Sequence, residues 1–307
     1  MNPSYIDLFN SGNLAACADR LYRRMEACTL CPHRCGANRI AGQRGKCGSG
    51  ALPVVSSYHA HFGEEAPLSG RNGSGTIFFT NCNLACIFCQ NYDISHLGRG
   101  EDVSYGELAE MMLELQRRGC HNINFVSPTH MNYAIVRALL LAVPLGLRVP
   151  LVYNSGGYDA ADVIRLLEGV YDIYMPDFKY MDPETSGKLS GAADYPEAAM
   201  AAVREMHRQT GDLVLDRNGI AQRGLLVRHL VLPNNIAATD RVINFIADLS
   251  RETYINIMDQ YRPEYSASEC FDLRRRVTLQ EYDEAVAHAV RQGLARIDGV
   301  ALPAAGK

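Results

Sequence analysis

Three cysteines stand close together in the segment NCNLACIFCQN, at Cys82, Cys86 and Cys89. In a helix their C-x3-C-x2-C spacing would place them on one face, where they could form a buried packing stripe. The polar residues around them disfavour that interpretation, and thiolates are the usual ligands of iron–sulfur clusters. Three thiolates leave a cubane cluster one ligand short, so its open iron can bind the amino and carboxylate groups of a small molecule. We therefore predict an incompletely ligated [4Fe-4S] site.

Four more cysteines lie near the N-terminus in a C-x2-C-x3-C-x11-C pattern, at Cys28, Cys31, Cys35 and Cys47. In a reducing compartment such a cluster indicates metal binding rather than disulfides. Four thiolates suit a closed zinc site that staples a small cap, and they suit an auxiliary iron–sulfur cluster equally well. The remaining cysteines are predicted to pack as small buried hydrophobes, and they are Cys17, Cys120 and Cys270.

Short apolar runs alternate with segments of helical period from Thr76 onward, which is typical of βα units around a parallel sheet. The predicted strands are 76–81, 122–127, 150–155, 172–179, 225–232 and 254–260. The predicted helices are 15–27, 104–118, 131–142, 159–167, 193–209, 240–249 and 279–291. Six right-handed units predict an α/β fold at residues 76–307, either a partial (β/α)6 barrel, which we prefer, or a strongly curved open sheet. Residues 1–75 are predicted to form a small Cys-rich metal-binding cap.

The composition excludes several classes of protein. With 47% hydrophobic residues, the 307-residue chain can bury a full core. Its apolar runs are shorter than the roughly 20 residues that cross a bilayer, and its first residues lack the pattern of a secretory signal. A net charge of −4 gives no general basic field for nucleic acid. We expect a cytoplasmic protein with neither a membrane span nor a nucleic-acid partner.

Several segments carry a resemblance to a known family, namely CNLACIFCQN, INFVSPTH, VYNSGGY, YMPDFKY, RHLVLP and NIMDQYRP. With these the chain resembles the radical S-adenosylmethionine superfamily and, within it, the pyruvate formate-lyase activating enzyme-like iron–sulfur proteins. The resemblance implies reductive cleavage of S-adenosylmethionine at the [4Fe-4S] cluster. It also implies a 5′-deoxyadenosyl radical that abstracts hydrogen from a protein or peptide, including activation of a glycyl-radical enzyme. An electron donor such as flavodoxin or ferredoxin is then required.

The predicted strand 172–179 places Asp177 and Lys179 on one face. A pair of charged side chains within a predicted strand requires a structural or functional explanation. It could be a self-contained structural ion pair, which would contribute little net stability. The resemblance implies instead that both residues flank the methionine end of the cofactor, with Arg228 clamping its carboxylate. Asn154 and Ser155 occupy a turn where the activating enzymes have an acid. Asn154 is neutral, so cation binding near the cofactor stays open.

Ser127, Pro128 and Thr129 replace the Gly-Gly-Glu turn that receives the cofactor's ammonium group in many family members. Their hydroxyls and carbonyls can accept the same protons, although Thr129 would serve equally well as a helix N-cap. Phe88, between the last two cysteines, completes the expected cofactor set.

The stretch around Glu64 and Glu65 is predicted to be a loop, and alternatively a substrate contact. Two other functions remain open, namely hydrogen abstraction from a small molecule and a non-catalytic metal-cluster scaffold.

Overall fold

The computed structural model describes residues 2–300 of the chain. Its strands are β1 (Val54–His61), β2 (Ser74–Phe79), β3 (Glu101–Asp102), β4 (Ile123–Val126), β5 (Leu151–Ser155), β6 (Ile173–Pro176), β7 (Val214–Leu215), β8 (Ala221–Leu230) and β9 (Tyr254–Met258). Its α-helices are α1 (Tyr5–Asn10), α2 (Asn13–Arg23), α3 (Ala66–Ser69), α4 (Tyr92–Ser95), α5 (Tyr105–Arg117), α6 (Asn132–Ala142), α7 (Ala161–Leu166), α8 (Pro183–Ser190), α9 (Tyr195–Thr210), α10 (Thr239–Leu249) and α11 (Leu279–Arg291). Positions 301–307 of the predicted barrel domain lie outside the described residues.

The sheet contains six parallel strands in the order β2-β4-β5-β6-β8-β9, and these are the six strands that the sequence predicts. β1, β3 and β7 add antiparallel pairings. The prediction of a mixed α/β fold with a mostly parallel sheet is confirmed. Within residues 2–300 the strand pairing is open, since β9 does not pair with β2.

Local sequence signals account for several elements. Ser104 caps α5 by accepting from the backbone N–H of Glu107, whose side chain accepts from the backbone N–H of Ser104. All five residues of β5 are buried, as expected for a parallel strand covered on both faces. The short helix α8 was not predicted, because its PETSGKLS sequence has few apolar residues.

The two faces of the sheet differ in what they bury. Residues such as Tyr153 and Tyr174 belong to the large core under the helices. Val152, Met175 and Leu226 face the other way and form a smaller apolar cluster with Leu68. Side chains two positions further along each strand share that inner face. Beyond this apolar cluster, the inner face therefore presents polar side chains at the carboxyl ends of β5, β6 and β8.

The N-terminal region is joined to the sheet through β1 and shares the core of the helices. β1 pairs with β2 along most of its length, so the predicted boundary at residue 75 cuts through the sheet. Tyr5 and Leu21 lie in the same core as the helices that pack on the parallel sheet, and the Tyr5 hydroxyl donates to the carbonyl of Val149 at 2.9 Å. The strand β1 was not predicted, because its sequence VVSSYHAH is mostly polar and most of its residues are only partly buried or exposed. No described helix is long and apolar enough to cross a membrane.

Candidate cofactor and metal sites

Cys82, Cys86 and Cys89 lie in the loop that follows β2. The loop is not helical, so the alternative interpretation, in which the three cysteines pack as a stripe on one helix face, is wrong. The backbone N–H of Leu84 donates to Cys82 Sγ at 3.4 Å, and Cys86 Sγ lies 3.0 Å from Ser190 Oγ. Burial, with the neighbouring Cys86, raises the pKa of the Cys82 thiol to about 12. Without a bound metal, the Cys82 thiol is therefore protonated at neutral pH.

A cavity of about 210 Å3 adjoins these thiols. On one side it is lined by the three cysteines, and on the other by side chains from the carboxyl ends of three strands. Those side chains are Asn154, Ser155, Asp177, Lys179 and Arg228. Phe88 and Ser127 also line the cavity. The structure thus brings together most of the residues that the sequence assigned to a cofactor.

Asp177 is held between two cations. Lys179 Nζ lies 2.6 Å from Asp177 Oδ2, and Arg228 donates through Nε to Asp177 Oδ1 at 2.8 Å. Burial alone would raise the pKa of Asp177, but the charges of Arg228 and Lys179 lower it below its ordinary value. Arg228 also donates to Asn154 Oδ1 at 2.7 Å. Asp177 is therefore ionised and fully engaged, and it orients both cations.

The two cations differ in how many donors they have left. Arg228 is committed to Asp177 and Asn154, and its Nη1 lies 3.5 Å from Glu64 Oε2. Lys179 gives Asp177 one contact of the three that an ammonium can make. Lys179 is thus better placed than Arg228 to donate to a carboxylate entering the cavity.

Pro128 and Thr129 do not line the cavity. Thr129 donates to Asp159 Oδ1 at 2.6 Å, while Tyr153 and Ser155 donate to the same carboxylate. The buried Asp159 carboxylate recruits the Thr129 hydroxyl and turns it away from the cavity. Thr129 is not the N-cap of α6 either, since Met131 holds that position.

Two acids lie beneath Arg228, namely Glu64 and Glu65, in the stretch that the sequence predicted as a loop or alternatively as a substrate contact. Glu64 Oε1 accepts from Asn124 of β4 at 3.0 Å, and Glu65 Oε1 accepts from Asn256 of β9 at 2.8 Å. Burial raises the pKa of Glu64, although Arg228 opposes the shift. The sequence signal was the adjacent acid pair directly before the proline-containing helix α3. The prediction of a loop there misses that both carboxylates point into the protein.

Comparison with known proteins agrees with this geometry. The family model of the Radical SAM superfamily matches residues 76–217. The uncharacterized protein MJ0674 of Methanocaldococcus jannaschii is 32% identical over 283 residues, which covers 87% of this chain and 75% of that protein. The chain belongs to the radical SAM superfamily. Members are enzymes that cleave S-adenosylmethionine at a [4Fe-4S] cluster, so membership implies both cofactors here.

The residues fit a radical SAM cluster by the chemistry of their donors. Three thiols converge on one loop beside a cavity, and Lys179 is near enough for its charge to lower the pKa of Cys86 against the effect of burial. The family match covers the cysteine loop, Asn154, Asp177 and Lys179. Arg228 and the N-terminal 75 residues lie outside it.

The four N-terminal cysteines also come together. Cys28 and Cys31 are buried, Cys47 is half-buried and Cys35 is exposed. Burial raises the pKa of Cys31 to about 12, and the nearby Cys47, Cys28 and Cys35 add to the rise. Across residues 2–300, however, no three His, Cys, Asp or Glu side chains are arranged as a ready metal-binding group, and this holds for Cys82, Cys86 and Cys89 as well as for the N-terminal cysteines. A metal at this second site therefore stays a prediction.

Proposed function

We propose that this radical SAM enzyme acts on a protein or peptide and belongs to the pyruvate formate-lyase activating enzyme-like branch. The cavity between the three-cysteine loop and the charged strand ends supports the cofactor-binding part of this proposal, and the substrate class and the branch rest on the sequence resemblance. When bound, the cluster and S-adenosylmethionine supply a one-electron cleavage that yields a hydrogen-abstracting radical. The chain's own residues bind the cofactors and orient them.

Each group of residues has a distinct task in this proposal. Cys82, Cys86 and Cys89 would hold three irons and leave the fourth open. Lys179 would donate to the carboxylate of the methionine moiety, while Asp177 keeps that lysine in place at 2.6 Å. Ser127 offers a hydroxyl to the cofactor's ammonium group from a residue with a φ of 60°. Phe88 supplies an apolar wall.

We also propose the partial barrel as the architecture that creates this cavity. Glu64 contacts β4 through Asn124, and its neighbour Glu65 contacts β9 through Asn256. On a flat sheet β4 and β9 would be about 19 Å apart, four strand spacings of about 4.8 Å. Two adjacent glutamates reach both strands more easily if the sheet curves strongly around them.

The partners follow from the same chemistry. The reaction needs one electron from outside, for which flavodoxin or ferredoxin is the expected donor in a cytoplasmic protein. Cys28, Cys31, Cys35 and Cys47 are proposed to hold zinc or an iron–sulfur cluster. The protein or peptide substrate, including a glycyl-radical enzyme, rests on the resemblance of the sequence segments given above.

Deuterium transfer tests the substrate class. The anaerobic, reduced protein would be incubated with S-adenosylmethionine and a glycyl-radical-domain peptide deuterated at its glycines. Deuterium in the product 5′-deoxyadenosine supports a peptide substrate. Unlabelled 5′-deoxyadenosine formed at the peptide-free rate would contradict it and favour a small-molecule substrate. The scaffold alternative predicts no 5′-deoxyadenosine at all.

A further inference from the structure

Arg39 is a buried cation that lacks a carboxylate partner. Its side chain is 0% exposed. Its guanidinium donates to the carbonyl of Gly50 from Nε at 2.9 Å and from Nη2 at 2.7 Å, and to the carbonyl of His130 at 2.8 Å. It also contacts the Tyr133 hydroxyl and lies 4.8 Å from the centre of that ring. All these partners are neutral, and no salt bridge among residues 2–300 includes Arg39.

An unpaired buried charge is costly, so a counter-charge is expected nearby. Among the N-terminal cysteines, Cys28 is the one whose thiol interacts with the Arg39 side chain, and as a thiolate it can provide that charge. The carbonyl of Ala37 accepts from the backbone N–H of both Cys28 and Arg39, at 2.9 and 3.1 Å, so these two residues are neighbours. Arg39 also acts electrostatically on the Cys28 thiol.

Two further buried polar atoms in this region lack partners within the described residues. Ser49 Oγ belongs to a fully buried side chain two positions after Cys47, and the hydroxyl has no hydrogen bond. His130 Nδ1 is also unpartnered, although His130 Nε2 lies 3.0 Å from the carbonyl of Thr80. Buried polar atoms are rarely left without partners, and a thiolate centre beside Arg39 could accept a hydrogen bond from the Ser49 hydroxyl. His130 Nε2 donates to the Thr80 carbonyl, so Nδ1 of the neutral ring is an acceptor, which an anionic centre does not satisfy.

We propose that Cys28, Cys31, Cys35 and Cys47 bind their metal as thiolates and that Arg39 balances the negative charge of this centre. The inference deepens the second metal site proposed above. Four thiolates around zinc or around a [4Fe-4S] cluster carry a net negative charge, which a fully buried guanidinium with no carboxylate can offset. Arg39 is therefore a positioning residue rather than a ligand.

The same centre braces the loop that carries Cys82. His33 Nε2 lies 2.8 Å from the carbonyl of Asn83, directly after that cysteine. On the other side, Arg39 bonds to His130, whose ring bonds to Thr80 two positions before Cys82. Loss of the N-terminal metal should therefore loosen both flanks of Cys82.

Arg39→Gln tests the charge balance, with Arg44→Gln as its matched control. Arg44 is an exposed arginine of the same segment, and it bonds only the carbonyl of Gly48 in the described residues. Zinc and iron would be counted in the full-length chain during a chelator titration. We expect Arg39→Gln to retain the N-terminal metal about 10- to 100-fold more weakly than wild type, as for other residues that support metal ligands. Arg44→Gln should match wild type.

Equal chelator resistance in the two variants would overturn the role of Arg39. If Arg39→Gln does not fold, site-resolved alkylation and mass spectrometry of the wild-type chain still test whether the four cysteines bind metal as thiolates, on which the role of Arg39 depends. Cys35 is exposed, so as a free thiol it would alkylate rapidly whether or not chelator is present. Protection of Cys35 that chelator removes supports the proposal, and rapid alkylation that chelator does not change contradicts it. Neither result depends on cleavage of S-adenosylmethionine, so failure here is distinguishable from failure of the proposed function.

Discussion

Replacing Lys179 by methionine removes the donor best placed to bind the cofactor carboxylate. The side chain is 17% exposed and lines the cavity beside Cys82 and Cys86. A hydrogen bond to a charged group contributes about 1.5–3 kcal/mol, and each 1.4 kcal/mol corresponds to a tenfold change in affinity. Lys179→Met should therefore raise the dissociation constant for S-adenosylmethionine about 10- to 150-fold.

The fold should survive this substitution. Asp177 keeps its contact with Arg228 at 2.8 Å, so no carboxylate is left buried without a cation. Lys179→Arg retains the charge and should weaken binding less than Lys179→Met. Lys188→Met is the matched control, because Lys188 lies exposed on α8.

Equilibrium dialysis of labelled S-adenosylmethionine under anaerobic conditions measures the effect directly. Iron content must be equal in all samples, because the charge of Lys179 also acts on Cys86. A dissociation constant for Lys179→Met within twofold of the Lys188→Met value would refute the assignment. Asp177 and Lys179 would then be the self-contained ion pair that the sequence left as an alternative.

Three further predictions concern stability and metal content. Ser104→Ala removes the capping box of α5 and should lower the free energy of unfolding by about 1 kcal/mol in urea titrations, whereas an unchanged value would show that the cap contributes nothing. Burial lowers the pKa of His229 to about 4, so the unfolded chain binds more protons than the native one between that value and 6.5. Stability should therefore fall as the pH drops from 7.5 to 5.5, and this histidine should contribute about 1.4 kcal/mol of the loss. His229→Gln should show a shallower fall, and an identical slope would contradict the reasoning. Cys120→Ala should leave the iron content of the protein unchanged, because Cys120 is buried near the start of β4 and is predicted to be a packing residue. A loss of iron in this variant would contradict that prediction and indicate that Cys120 is a ligand.

Sequence patterns predicted the parallel strands because each is a short apolar run bounded by polar or turn residues. Asn154 and Ser155 were expected near the cofactor from the resemblance, in a turn after the third predicted strand, and the structure places both at the end of β5, where they line the cavity. Phe88 was expected at the cofactor from the resemblance alone, and it does line the cavity.

Other features depend on contacts that no local pattern encodes. Thr129 is turned away from the cavity by Asp159, thirty positions along the chain. In the sequence, nothing distinguishes Arg39 from the other arginines of the N-terminal cap. Only the structure shows that its side chain is buried and donates to the carbonyl of His130. The same holds for Glu64, which was predicted only as part of a loop or a substrate contact and lies 3.5 Å from Arg228. Long-range burial of charge is what sequence reasoning missed in each case.

Electron paramagnetic resonance of the reduced protein, with and without S-adenosylmethionine, tests the central claim most directly. The protein would be purified anaerobically beside a Cys86→Ala variant, and 5′-deoxyadenosine would be measured in the same samples. The wild type should show a [4Fe-4S] signal that changes when S-adenosylmethionine is added, together with formation of 5′-deoxyadenosine. The variant should show neither the changed signal nor the product. A cluster signal that S-adenosylmethionine leaves unaltered in the wild type, with no 5′-deoxyadenosine formed, would contradict the assignment of Cys82, Cys86 and Cys89 to a radical SAM cluster.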